Sequence, residues 1–170
     1  MAAKDFLRIV SGRITQVFGI QTSAGAGDAG KIPALDDTGR FDISMMPVGI
    51  TAEVATCLAS ENLADGDFID LFLSSGVLKA RKADATASGK EADGFVLAAV
   101  TSGNSSTVYL EGNNTHRTGM TIGARQYLYT AAGGVTETPP SSSGNVVQLL
   151  GIALSATEMT FEPTDGVVLA

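Results

Sequence analysis

The chain has no tryptophan, one cysteine and one histidine among its 170 residues. Each scarcity removes a class of chemistry. A single cysteine permits no intrachain disulfide. Without a Cys/His cluster, zinc has no ligand set. Cys57, in the apolar run EVATCLA, reads as a small core residue. As a nucleophile it would need an activating base, and His116 lies in the loop-like run NNTHRTG. Neither a Ca-binding loop pattern nor a G-x-S-x-G elbow occurs, so no enzyme activity is expected. Charge is also scarce, at 17% of residues against a usual ~25%. Lys and Arg number 11 against 18 Asp and Glu, for a net charge of −7 and a pI near 4.5. Binding nucleic acid requires clustered cations that displace counterions from phosphates. The densest basic group here, Lys79, Arg81 and Lys82, reads as a solvated strand face. Nucleic acid and anionic membrane are therefore not expected partners. Long apolar runs are missing as well. Phe95 to Val100 is the longest, far short of the ~20 residues of a membrane-spanning helix. Arg8 interrupts the apolar character of MAAKDFLRIV, so no secretory leader is read there and synthesis in the cytoplasm is expected.

What the chain does have is glycine, 20 residues of it, and 44% apolar content. That profile suits short strands joined by tight turns, in one domain with a tail. FLRIV-SG-RITQVF reads as a hairpin whose Gly12 supplies positive φ. From residue 51 onward, short β-rich runs recur with turn signals every 8 to 12 residues, the signature of a closed or sandwiched all-β domain. The expected strands are 53–59, 68–74, 77–83, 94–100, 106–112, 126–131, 134–138, 145–155 and 158–163. Residues 50–62 also carry Ile50, Val54 and Leu58 at helical spacing, with the strand reading preferred. In VLKARKA neither side is cleanly apolar, which points to an edge strand. FVLAAV and VVQLLGIAL are nearly continuous, as in strands covered on both faces or lining a small barrel. Gly151 within the second run suggests a bulge or bend at a barrel corner. The expected fold is all-β: a small β-barrel or β-sandwich domain at 51–170, preceded by a short hairpin and an extended N-terminal arm at 1–50.

Between the two lies SAGAGDAGKIPALDDTGRFDISMMP. Gly25, Gly27 and Gly30 match G-x-G-x-x-G. In a dinucleotide-binding unit the last glycine opens a helix that receives the pyrophosphate. Here Pro33 biases Ile32 away from helix and blocks its continuation. No βαβ alternation follows, so no cofactor is expected. Asp36-Asp37 and the Asp65/Asp67 pair read as turn formers. The run holds neither a helical nor a strand period, and it is longer than an ordinary connection. Its spaced apolar residues Ile32, Leu35, Phe41, Ile43, Met45 and Met46 read as anchors of an arm that orders on a partner.

GKIPALDDTGRFDISMMP resembles the G-K-(I/L)-x-A-L-D-x-x-G-x-(L/F)-D-x-S-x-(L/M)-P segment near the N-terminus of many tailed-bacteriophage virion proteins. GARQYLYTAAGGVTETPPSSSGNVVQLLGIALSATEMTFEP is similar to a phage pattern of a G-x-x-Y-L strand, a Gly turn, a Thr/Pro-rich loop and a G-x-V-x-x-x-G-x-A-x-S-x-T strand. EADGFVLAAVTSGNSSTVYLEG is also common in such proteins. Together these stretches cover about half the chain. They occur in capsid decoration (cement) proteins and in some tail-fibre modules. The decoration family implies a small β-barrel or β-sandwich head with an extended arm, trimers at threefold positions on the capsid exterior, and the major capsid protein as partner. It implies no catalytic residues. The alternative is a tail-fibre or adhesin attachment module of a phage virion.

Overall fold

A computed structural model describes residues 5–46 and 52–170. Pro47, at the end of the arm segment, and Ile50, in the helix alternative, lie outside the described residues. The chain divides into two compact units, Met1–Thr51 and Ala52–Ala170. The architecture is all-β, with a closed five-stranded barrel and several small sheets. No α-helix occurs among the described residues.

The first unit begins with an antiparallel hairpin, β1 (Asp5–Val10) and β2 (Arg13–Phe18). Its two-residue turn, Ser11-Gly12, has positive φ at both positions (51° and 78°). That geometry matches the twist of the flanking strands and pins the register from Val10↔Arg13 to Asp5↔Phe18.

The second unit opens with β3 (Val54–Ala59), β4 (Phe68–Ser74), β5 (Val77–Lys82), β6 (Gly94–Phe95) and β7 (Ser105–Tyr109). They close in the order β3-β5-β4-β6-β7, with β7 pairing back onto β3. β4 and β5 form a second Ser-Gly hairpin, with φ of 53° at Ser75 and 78° at Gly76. The β3–β5 pairing is parallel and short, Leu58↔Lys79 and Ala59↔Ala80. The barrel interior holds Cys57, Ala59, Leu63, Ile69, Ala80, Val96 and Val108. Few strands leave a narrow lumen, so small residues are needed where strands face one another. Cys57 is a core residue of this kind, buried with its Sγ beside the Ser106 hydroxyl.

A second core lies on the outside of the barrel wall. Successive strand residues point to opposite faces, so Ile69 enters the barrel while Phe68 joins Phe95 and Phe161 outside it. The three rings sit 5.5–6.3 Å apart, and Tyr109 stacks on Phe95 at 5.5 Å. The remaining strands cover them: β8 (Gly112–Asn114), β9 (Arg125–Leu128), β10 (Val135–Thr136), β11 (Val146–Val147), β12 (Leu149–Ile152), β13 (Met159–Phe161) and β14 (Val167–Val168). They supply Leu128, Leu150 and Met159 in small sheets ordered β10-β9-β12, β11-β14 and β13-β8.

The edge-strand expectation for VLKARKA is corrected. β5 is paired on both sides, with β3 and β4. Two of its three charges, Arg81 and Lys82, have acidic partners. Arg81 reaches Asp70 across the ladder at 2.5 Å, and Lys82 reaches Asp67 at 3.3 Å. Burial nonetheless raises the Asp70 pKa above its ordinary value, with the Arg81 hydrogen bond and charge opposing. FVLAAV is also shorter than expected as a strand, which stops at Phe95, and Val100 returns only as a single bridge to Leu63. The run 145–155 splits into β11 and β12, and β8 and β14 escape the strand count read from sequence.

Arg117 links the barrel to the C-terminal sheets. Its guanidinium donates to the carbonyls of Gly66 (2.8 Å) and Gly133 (3.4 Å) and lies over the Phe68 ring at 5.7 Å. Burial lowers its pKa from the ordinary value, and the Asp67 charge opposes that shift. Arg117→Met is expected to cost about 2 kcal/mol, since hydrogen bonds from a charged group contribute roughly 1.5–3. Arg117→Lys should recover only part of this: an ammonium can donate to both carbonyls as Nη1 does, but the planar guanidinium over the Phe68 ring is lost. Urea midpoints of the three proteins check this order; a lysine variant as stable as the parent would contradict it.

Candidate functional site

Among the described residues of the first unit almost no side chain is buried, and large apolar side chains lie exposed beside polar ones. The strap from Gly19 to Met46 is held by its polar groups. The Ile20 and Ala34 amides bond the carbonyls of Ile32 and Ile20, closing a loop by a parallel bridge between Ile20 and Pro33. Gln21 Nε2 donates to the Leu35 carbonyl at 2.8 Å, and Arg8 donates to the Gly30 carbonyl at 3.2 Å. The Asp36 carboxylate accepts from the Thr38 and Arg40 amides, a side-chain turn of the kind expected for DDTG. Asp42 caps a 3-10 turn, Ile43–Met45, by accepting from Ser44 N. The Ser44 hydroxyl in turn accepts from Ser23 N at 2.8 Å. Hydrogen bonds from Ser44 hold the Asp42 carboxyl below its ordinary pKa, and the hydrogen bond from Lys31 does the same for Asp28.

The glycine run is part of this scaffold. Ala26–Asp28 makes one 3-10 turn and the chain leaves it extended at Ala29. The strand–loop–helix frame of a phosphate loop does not form there.

These hydrogen bonds lie at the surface and fix the backbone, and most of the apolar side chains of the strap lie exposed beside them. Of the six expected anchors, Leu35, Phe41, Ile43 and Met46 are exposed, Ile43 by 63%. Ile32 and Met45 are half-buried. Among the described residues of this unit only Ala34 is buried. The structure places the four exposed anchors on the segment 35–46, which two side-chain-capped turns hold in shape.

A second group was not singled out from sequence. Residues directly opposite in an antiparallel pair share a face, and alternate residues along a strand do too. The register therefore puts Leu7, Ile9, Ile14 and Phe18 on one face of the hairpin. All four are at least 70% exposed. The other face carries Phe6, Arg8, Val10, Arg13, Thr15 and Val17. It meets the strap at Gly19, where an added Cβ would lie 2.7 Å from the Phe6 ring and 2.8 Å from the Ala34 methyl. The signal was present in FLRIV-SG-RITQVF, because a two-residue turn sets which residues of the two runs face the same way.

The second unit offers less. Cys57 lies in the barrel interior and His116 is exposed, its Nδ1 beside the Thr115 hydroxyl at 3.2 Å. No group of three or more His, Cys, Asp or Glu that could hold a metal ion occurs among the described residues. Surface grooves are shallow. One of about 420 Å3 runs along Leu97 to Val100 and Tyr109.

Charge is divided unevenly between the two units. Residues 1–51 carry five basic and five acidic side chains, and residues 52–170 carry six basic and thirteen acidic. The whole net charge of −7 therefore resides on the second unit.

Comparison with known proteins yields little. No family model matches the chain, and no curated protein matches it. Among solved structures, the head fiber gp8.5 N base of bacteriophage phi29 aligns with a TM-score of 0.44 and 12% identity, covering 66% of this chain and 95% of that one.

Proposed function

We propose that the protein is a structural component of a tailed-phage virion. Its first unit binds the outer surface of the assembled capsid and bridges neighbouring major capsid protein subunits. The observation that carries this reading is the exposure of the apolar side chains Leu35, Phe41, Ile43 and Met46 on a strap whose backbone is held by side-chain hydrogen bonds. Exposed apolar groups rimmed by polar ones mark interaction surfaces. The motif resemblance of GKIPALDDTGRFDISMMP supports the same role, since the segment that carries it is the one that displays the anchors. The acidic second unit suits a position facing solvent, away from packaged DNA. A protein that binds only the assembled shell stabilises it by mass action, and many copies with several weak contacts add through effective concentration.

Particles lacking the protein and purified full chain test this. The chain should bind particles and raise their resistance to heat. Phe41→Asp/Ile43→Asp should weaken binding by at least tenfold, since each change buries a charge worth more than about 1.4 kcal/mol, while leaving the unfolding curve of the free protein unchanged. Cleavage between residues 20 and 50 should occur in free protein and be suppressed on the particle. Labelled protein spread over the head supports the capsid role. Label confined to the tail would replace it with the attachment-module reading.

A further inference from the structure

We infer that the outer face of the β1–β2 hairpin is a homotypic interface, covered by the same face of a second copy of this chain. The face is made by Leu7, Ile9, Ile14 and Phe18, with Gln16 and Asp5 at its margin. The four apolar residues are exposed by 76%, 72%, 75% and 70%. Taking roughly 200 Å2 for each fully exposed large side chain, they offer on the order of 600 Å2, more than an isolated surface usually leaves to water. A two-stranded hairpin is marginal by itself, so this face gains stability from being covered.

Three observations select a second copy as the cover. Two such faces stacked as sheets pack about 10 Å apart. They would remove on the order of 1,200 Å2 in total, the lower bound of a stable interface. The face is also self-complementary. Its apolar centre holds no charge, Arg8 and Arg13 lie on the opposite face, and Asp5 sits at the open end of the ladder. A foreign partner finds no charged anchor there to set its register. Finally, the charge is segregated. The first unit is neutral overall and the second carries the full −7. Copies that meet through their first units avoid setting one acidic unit directly against another. Association by this route is apolar in its contact and opposed only by the remaining repulsion between second units, so added salt strengthens it.

The inference does not depend on the virion reading, because it concerns purified protein. Sedimentation of the full chain, from micromolar to sub-millimolar concentration and at low and high salt, reads it directly. The expected result is a dimer, of twice 17.4 kDa, favoured by salt, because a face packed on its own copy is two-fold and closes with two chains. Ile9→Asp, opposite Ile14 in the ladder, should weaken association by about 100-fold or more, as charge buried at an interface centre does. Leu7→Thr/Ile14→Thr keeps strand-forming residues and should weaken it as well, which guards against loss of the hairpin in the aspartate variant. Leu73→Asp, at a site 74% exposed in the second unit, should leave it intact. A parent protein that stays monomeric, variants that associate as the parent does, or equal disruption by Leu73→Asp would overturn the inference. A monomer whose hairpin amides resist exchange would assign the face to the chain's own second unit instead. Loss of association with particle binding retained, or the reverse, separates this interface from the capsid contact.

Discussion

Replacing Gly151 by valine is expected to abolish cooperative folding of the second unit. The β9–β12 register shifts here: Leu149 pairs with Tyr127 and Gly151 with Gln126, leaving Leu150 as the extra residue. A bulge of this kind re-aims a side chain, and Leu150 is fully buried in the second core. Gly151 holds φ at 154°, and a Cβ built on it would strike the carbonyl oxygen of Thr160. The obstacle is backbone. That carbonyl belongs to a segment held on both sides of the site, by Glu162 N to Leu150 O at 2.8 Å and Ile152 N to Thr160 Oγ1 at 3.1 Å. No side chain can swing aside to relieve it. Backbone strain of about 1–3 kcal/mol and overpacking of about 1–3 more add to the lost bulge geometry. Together with the lost bulge, these terms reach the lower end of a domain's stability, about 5–15 kcal/mol. Gly151→Ala should be milder but still damaging. Urea unfolding followed by circular dichroism decides the matter. A valine variant melting within a few degrees of the parent would mean that Gly151 does not approach Thr160 so closely.

Phe161→Ala is expected to be the next most damaging change, at about 3–5 kcal/mol. Phe161 is 2% exposed and contacts the rings of both Phe68 and Phe95. Those two residues belong to barrel strands, and Phe161 comes from β13. Truncation therefore leaves a void at the seam between the barrel and the sheets that cover it. Aromatic pairs add about 0.5–1.5 kcal/mol beyond buried area, and two are lost together. Scaled to a domain of this size, the loss lowers the melting temperature by roughly 10–20 °C. Phe161→Leu refills most of the volume and should cost much less. Leu154→Ala, at a site 46% exposed, provides the comparison for a surface truncation. Calorimetry that ranked Leu154→Ala beside Phe161→Ala would remove the second core from the account of stability.

Both predictions concern the scaffold, while function is assigned to the unit that barely has a core. That contrast explains why the candidate surface was only partly legible. The strap anchors Leu35, Phe41, Ile43 and Met46 were readable as apolar residues without a period, because no partner strand or helix imposes one. Their separation from Ile32 and Met45 was not readable. It follows from the Ile20–Pro33 bridge and the Ser23 N to Ser44 Oγ hydrogen bond, which are contacts between residues distant in the chain. The hairpin face was one step away: the Ser-Gly turn implies the register, and the register implies the face.

The sequence by itself determined the class of the fold. Turn signals at short spacing and alternation in runs such as STVYLEG leave little besides short strands, and Gly151 marked its own bulge, since no other residue tolerates that approach. Tertiary structure alone decided which strands close the barrel. VLKARKA looked like an edge because neither of its sides is cleanly apolar, yet Asp70 and Asp67, from β4 and the residue before it, pair with Arg81 and Lys82 inside the barrel sheet. It also decided that one strand can serve two cores, with Ile69 inside the barrel and Phe68 outside. Alternation states that neighbouring side chains part company. What each of them meets depends on chain segments brought in from tens of residues away, and no local pattern carries that information.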